Sequence, residues 1–202
     1  MPQLLKPIFV AVIVGFVAFG ASATSIRGFI QKQNGFRQLL SQNDDGTQVL
    51  VNISGVTPQV QNDINKLKNG DYLVARGTLI GGMANIDAIE SLGLQAIVGT
   101  WATPKYEVYE FQDFTRLNLY IPNDTRSDVV KAGEFQYSIA PDQGSRYQLF
   151  LSNSKSVTVG SLQFRKSHLV LNVIDPQTGE SSADIVLSPL ARHQDSSTLN
   201  GL

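Results

Sequence analysis

The sequence predicts a mostly β chain made of two small antiparallel β-barrels in succession, and three observations predict it. Apolar and polar side chains alternate with a period of two over most of the chain, one short stretch switches to the helical period, and turn signals divide the alternating runs at near-regular spacing. The change of unit falls between Ile97 and Tyr120, where a buried-looking run ends and Gly99-Thr100-Trp101 opens a second series of strands. The expected layout is a signal peptide over 1–23, a first barrel over 24–98, a second over 99–190, and a disordered polar tail over 191–202.

The first residues have the form of a targeting segment. Lys6 supplies a small positive region, Ile8 to Gly20 is an unbroken apolar run, and Ala21-Ser22-Ala23 is a small-x-small cleavage signature. The apolar run is about 13 residues, whereas a membrane-spanning helix needs roughly 20. Export with cleavage after Ala23 is expected, giving a periplasmic or secreted chain from Thr24 with no stable membrane span. The chain contains no cysteine, so neither disulfides nor a lipid-attachment cysteine can hold it, and core packing must. This favours a bacterial envelope protein. A formal net charge of -1 offers no positive field to nucleic acid phosphates or to an anionic bilayer.

In the first unit, Ile26, Phe29 and Ile30 begin an extended segment that turns at Asn34-Gly35, a dipeptide suited to the positive φ angles of a tight hairpin. Phe36 to Ser41 returns, Asn43 to Gly46 is a second turn, and Thr47 to Ile53 alternates again. Thr57 then caps a helix with Pro58 at its first position, where a missing N–H is harmless. Val60, Ile64 and Leu67 make one apolar stripe, and Gly70 ends the helix after Lys66 and Lys68. Strands resume from Asp71 to Ile80, with Gly77 marking a bend or bulge, turn at Gly81-Gly82, and finish over Asn85 to Leu94. Ile86, Ala88 and Glu90 are expected on one face of that last strand, Asp87 and Ile89 on the other.

This order of three strands, a helix and two strands, with Gly70-Asp71-Tyr72-Leu73-Val74-Ala75-Arg76-Gly77-Thr78-Leu79 and Asn85-Ile86-Asp87-Ala88-Ile89, resembles the OB-fold. The resemblance implies a five-stranded Greek-key barrel whose sheet face, in many members, binds single strands or oligosaccharides. Nucleic acid would need a cationic groove lined by stacking aromatics. Here Phe29, Phe36 and Tyr72 stand alone and Arg27, Lys32, Arg37 and Arg76 are scattered, so no nucleic acid partner is expected.

In the second unit, Tyr109 and Phe111, Leu117 and Leu119, Phe135 to Ile139, Tyr147 to Leu151, Val157 to Phe164, Leu169 to Val173, and Ile185 with Leu187 give seven or eight alternating strands. Turn signals at Pro141 to Gly144, Ser152 to Ser154 and Asp175 to Gly179 separate them, as in an up-and-down barrel. Pro122 to Lys131 is a longer polar loop, either a lid or a plain insertion. The Gly99-Thr100-Trp101 triplet at the head of this meander, followed by Tyr109-Glu110-Phe111, resembles small lipocalin-like domains of exported bacterial proteins. That likeness implies that Trp101 closes one barrel end over the core. At roughly 90 residues the unit is shorter than a full lipocalin, so side chains are expected to fill a barrel of this size.

His168 and His193 have no carboxylate or serine at a motif spacing, the acids at Asp44, Asp45 and Asp113 form no EF-hand, and Gly77, Gly81 and Gly82 form no phosphate loop. No enzyme activity, metal or cofactor is expected. The candidate ligand-binding residues are Trp101, Tyr106, Tyr109 and Phe114, drawn from an aromatic group that is mostly core. Tyr106 and Tyr109 are expected on opposite faces of one strand. The expected function is a binding or interaction protein of the bacterial envelope, holding an apolar small molecule or a protein segment. The alternative is a structural or inhibitory periplasmic protein that docks by surface loops and has no ligand cavity. The sequence carries no sign of the oligomeric state.

Overall fold

The computed structural model describes residues 24–33, 35–42, 47–175 and 178–190. The expected leader, the Asn43 to Gly46 turn and the polar tail lie outside those residues, as does Asn34 of the first turn. The described chain is mostly strand with one helix: β1 Thr24–Gln33, β2 Phe36–Gln42, β3 Gln48–Gly55, α1 Pro58–Lys66, β4 Tyr72–Ile80 and β5 Met83–Gly93. Then come β6 Gly99–Ala102, β7 Val108–Phe111, β8 Arg116–Pro122, β9 Val129–Pro141, β10 Arg146–Ser152, β11 Val157–Arg165, β12 His168–Val173 and β13 Ile185–Pro189.

The first five strands close on themselves. β1 pairs with β2 and β4, β2 with β3, β3 runs parallel to β5, and β5 returns antiparallel to β4. Inside lie Ile26, Ile30, Leu39, Val51, Leu73 and Ile86, with Ile64 of α1 and Leu67 just after it sealing one end. The helix forms as its caps require: the Thr57 hydroxyl accepts the Val60 N–H at 3.3 Å, and Pro58 fills the first turn. It stops at Lys66, short of the expected Gly70. The Lys68 N–H turns away to the Asp71 carboxylate at 2.7 Å and the Gly70 N–H to the Ile30 carbonyl at 3.0 Å, which commits the chain to β4.

The faces of β5 differ from simple alternation. Against β4 its register shifts twice, leaving Glu90 and Asp87 as extra residues, so the strand turns Ile86, Ile89 and Leu92 toward the core. Ala88 and Glu90 therefore do not share a face with Ile86. Gly77 sits at one shift, where a Cβ would lie 2.1 Å from the Asn85 carbonyl oxygen.

The remaining eight strands, β6 to β13, form a closed antiparallel barrel in chain order, sealed where β13 meets β6 at Ser188–Ala102 and Pro189–Trp101. Phe111, Leu117, Ile139, Leu149, Leu162, Leu169 and Leu187 fill its interior. Val157 and Val159 instead face outward, because the inward row of β11 runs through Leu162 and Phe164. The long polar loop contracts to residues 123–128. Asn123 organises it, its Oδ1 accepting from Ser127 N at 3.0 Å and Thr125 Oγ1 at 3.1 Å, while Pro122 pairs with Val129 across the hairpin. The two rings meet at one strand pair, Leu92 of β5 opposite Ile139 of β9, and their buried side chains form one contiguous cluster.

Candidate functional site

In an up-and-down barrel, alternate connections share an end. The start of β6, the 112–115 turn, the 142–145 turn and the Lys166-Ser167 turn therefore sit together, at the end that meets the five-stranded ring. That end is covered. Leu94 and Ile97 are buried, and Trp101, only 8% exposed, donates its indole N–H to the Ile97 carbonyl at 2.8 Å. The segment after β5 thus closes the barrel mouth and pins the tryptophan beneath it.

A crevice of about 320 Å³ remains beside this plug. Leu94, Ala96, Trp101, Tyr147 and Phe164 give it an apolar wall; Tyr147 and Phe164 meet edge to face with centroids 6.4 Å apart. Lys66, at the end of α1, and Lys68, just after it, line it on one side, and Lys166 and Ser167, from the β11–β12 turn, on the other. Lys66 is engaged by Asp63 at 2.7 Å. Lys68 and Lys166 have no ion-pair partner among the described residues. The one acid in the lining, Asp71, is buried and its carboxylate is held by the backbone N–H groups of Lys68 at 2.7 Å and Gln95 at 2.9 Å. Burial, then the negative charges of Asp71 and Asp63, raise the pKa of Tyr147, so its phenol stays neutral.

A second cavity, about 340 Å³, lies at the seam between the rings, lined by Phe29, Tyr72, Val74, Leu92, Gly93, Phe114 and Tyr137 among others. Phe29 meets Tyr72 edge to face at 5.0 Å and Tyr72 stacks on Phe114 at 6.1 Å. Gly93 makes this possible, since a Cβ there would lie 2.5 Å from the Phe114 ring. Its acid is occupied: Asp113 accepts from Thr115 N at 2.8 Å, Arg116 N at 2.8 Å and Arg116 Nε at 2.7 Å. A third, polar cavity of about 430 Å³ lies on the outer wall among Arg146, Gln163, Arg165, Asn172, Ser181 and Asp184. There Asn172 is bonded to Ser181 and to the Ser182 carbonyl, and Arg165 stands 3.7 Å from Asp184.

Two further titratable groups on the barrel have local contacts. Glu110 accepts from Asn118 Nδ2 and Tyr120 OH at 3.0 Å each; the Asn118 bond, with those of Tyr120 and Gln112, holds its pKa low against partial burial. His168 is exposed, with Ser167 Oγ 3.4 Å from Nδ1. Among the described residues no group of three or more His, Cys, Asp or Glu side chains is placed to hold a metal ion.

The four candidate residues do not converge. Trp101 and Tyr109 are cross-strand neighbours on the inward face of β6 and β7, where burial first and Glu107 second raise the Tyr109 pKa. Phe114 lies at the seam. Tyr106 is 70% exposed in the β6–β7 turn with φ 66°, so it belongs to no strand face; Thr103 organises that turn by accepting the Lys105 and Glu107 N–H groups at 3.2 Å each. Tyr147, Phe164, Lys68 and Lys166 were not singled out by sequence. The first two look like ordinary inward strand residues, and only ring closure carries them to the same rim. A usable signal existed in Lys166-Ser167, a two-residue hairpin turn lacking glycine or asparagine. No protein-family model, no curated protein and no solved structure matches this chain, so these side chains are what its function has to be argued from.

Proposed function

We propose that this chain is an exported, non-catalytic binding protein of the bacterial envelope that holds an apolar small molecule in the crevice beside Trp101. The five-stranded ring is read as OB-like, from its strand order 1-2-3-5-4 with a helix after the third strand. The eight-stranded barrel is read as lipocalin-like, from its order and from the tryptophan over its core. The observation that carries the proposal is the aromatic and aliphatic wall of Trp101, Tyr147, Phe164 and Leu94 around about 320 Å³, flanked by a few polar groups from both rings. Ligand sites run from about 300 to 1,000 Å³ and combine an apolar lining with a few convergent polar groups. The crevice is at the small end of that range. The seam cavity matches it in size, but its rings are spent on one another and its acid on Arg116.

Trp101 is the only tryptophan in the chain, so its emission reports this site alone. Titration with 1-decanol should shift or quench that emission saturably, and native mass spectrometry of protein taken from its own envelope should show a small-molecule adduct. A chain with no adduct, and no response to decanol or to decanoate, is not a ligand carrier at this crevice; docking by surface loops then becomes the better reading.

A further inference from the structure

We infer that the crevice selects an amphiphile with an anionic head, a single-chain carboxylate, whose charge lies between Lys68 and Lys166 while its chain lies on Trp101, Tyr147 and Phe164. This inference rests on the proposed binding reading and names the ligand chemistry of the same site.

The two cations come from different rings. Lys68 follows α1 and lines the side formed by the five-stranded ring, whereas Lys166 lies in the β11–β12 turn of the eight-stranded barrel. Neither ammonium has an ion-pair partner among the described residues, while Lys66 is already matched by Asp63. The lining's one carboxylate, Asp71, is turned into the protein by two backbone N–H groups. Beside the apolar wall, two ammonium groups without an ion-pair partner among the described residues therefore stand against one inward-held carboxylate, a net positive balance that an anion complements.

Lys166 strengthens the assignment. Its φ is 56°, a left-handed conformation in which glycine or asparagine is the less strained choice. A lysine at such a turn, beside the aromatic wall, is a local compromise of the kind found where a side chain has a task. The volume limits the ligand's size, since about 320 Å³ suits one alkyl chain or one ring system and not a diacyl lipid.

The test follows Trp101 emission of the full mature chain titrated with decanoate and with 1-decanol, in the wild type and in a Lys68→Gln/Lys166→Asn variant. Asparagine tolerates the left-handed turn, and both lysines are exposed at the rim, so the variant should fold; its circular dichroism and melting curve verify that. Decanol is the more hydrophobic probe and would win at a site that reads only the chain. The expected result is that decanoate binds about three- to tenfold more tightly than decanol, as two partly exposed ion pairs allow. That preference should vanish in the variant and shrink as salt rises. Decanol binding as tightly as decanoate, or a preference that survives both substitutions, overturns the anionic-head assignment while leaving an apolar site standing. Silence toward both probes removes the binding reading itself, and this inference with it.

Discussion

The five-stranded ring closes along a long ladder between distant segments, the eight-stranded barrel along a short one. In the first, β1 and β4 share register pairs from Thr24–Gly77 to Phe29–Tyr72, and the parallel β3–β5 pair adds a second non-local contact. In the second, every neighbour but one is a hairpin partner, and closure rests on two paired positions, Ser188–Ala102 and Pro189–Trp101, supported by the Leu190 N–H to the Thr100 carbonyl at 2.9 Å. Local hairpins form at little entropic cost, whereas distant pairs must overcome loop closure. The comparison teaches that the small ring depends on backbone geometry at its crossings, and the large one on packed side chains behind a thin seam.

The strongest way to break this comparison is at that seam. Leu187 of β13 is wholly buried opposite Leu169, so Leu187→Ala should lower stability by about 2 to 5 kcal/mol and let acrylamide reach Trp101 on the adjacent β6. Loss of stability with Trp101 still shielded would mean that the seam is not what side chains hold shut.

In the small ring the corresponding weak points are glycines. Gly77→Ala sets a Cβ against the Asn85 backbone and should cost about 1 to 3 kcal/mol in urea denaturation. Gly93→Ala meets the Phe114 side chain, from its Cβ at 2.8 Å to its ring at 2.5 Å, and since that residue sits in the 112–115 turn and can shift with it, the change should cost less while exposing Phe29 and Tyr72. Equal costs would show that β4 yields at its bulge as readily as a side chain does.

A smaller effect sharpens the large barrel. Partial burial pushes the Asp113 carboxyl up, but the bonds from Thr115 and Arg116 outweigh it and bring its pKa from 3.8 to about 2. A depressed folded pKa stabilises above the unfolded value and is lost as pH falls through the folded one. The stability of the wild type should therefore fall more steeply than that of Asp113→Asn between about pH 4 and pH 2. Parallel acid limbs of the two melting curves would remove Asp113 from the account. The smallest effect is at Tyr106: Tyr106→Asn should leave ligand response unchanged and alter stability by less than about 1 kcal/mol, since an exposed ring is lost and a left-handed turn is eased. A binding defect in that variant would return Tyr106 to the site.

Much of the strand series was legible in the alternation, above all from Phe135 through Leu187, because a strand with one wet and one buried face writes its period into the chain. The helix was legible from Thr57, Pro58 and its apolar stripe. What misled was local: β5 shifts register twice, so Ile86, Ile89 and Leu92 point inward at spacings of three, which no period-two reading anticipates. Tyr106 failed for a related reason, since a single left-handed residue takes it off the strand.

The strand inventory, the place of the helix and the aromatic character of the core follow from residue order, because burial and capping act over a few neighbours. Which rims meet is another matter. Trp101, Tyr147 and Phe164 share a wall with Lys68 and Lys166 only because one ring caps the end of the other, through Leu92 opposite Ile139 and the plug at Leu94 and Ile97. Such contacts span distances along the chain that no local pattern encodes, and it takes a closed, packed interior to select them.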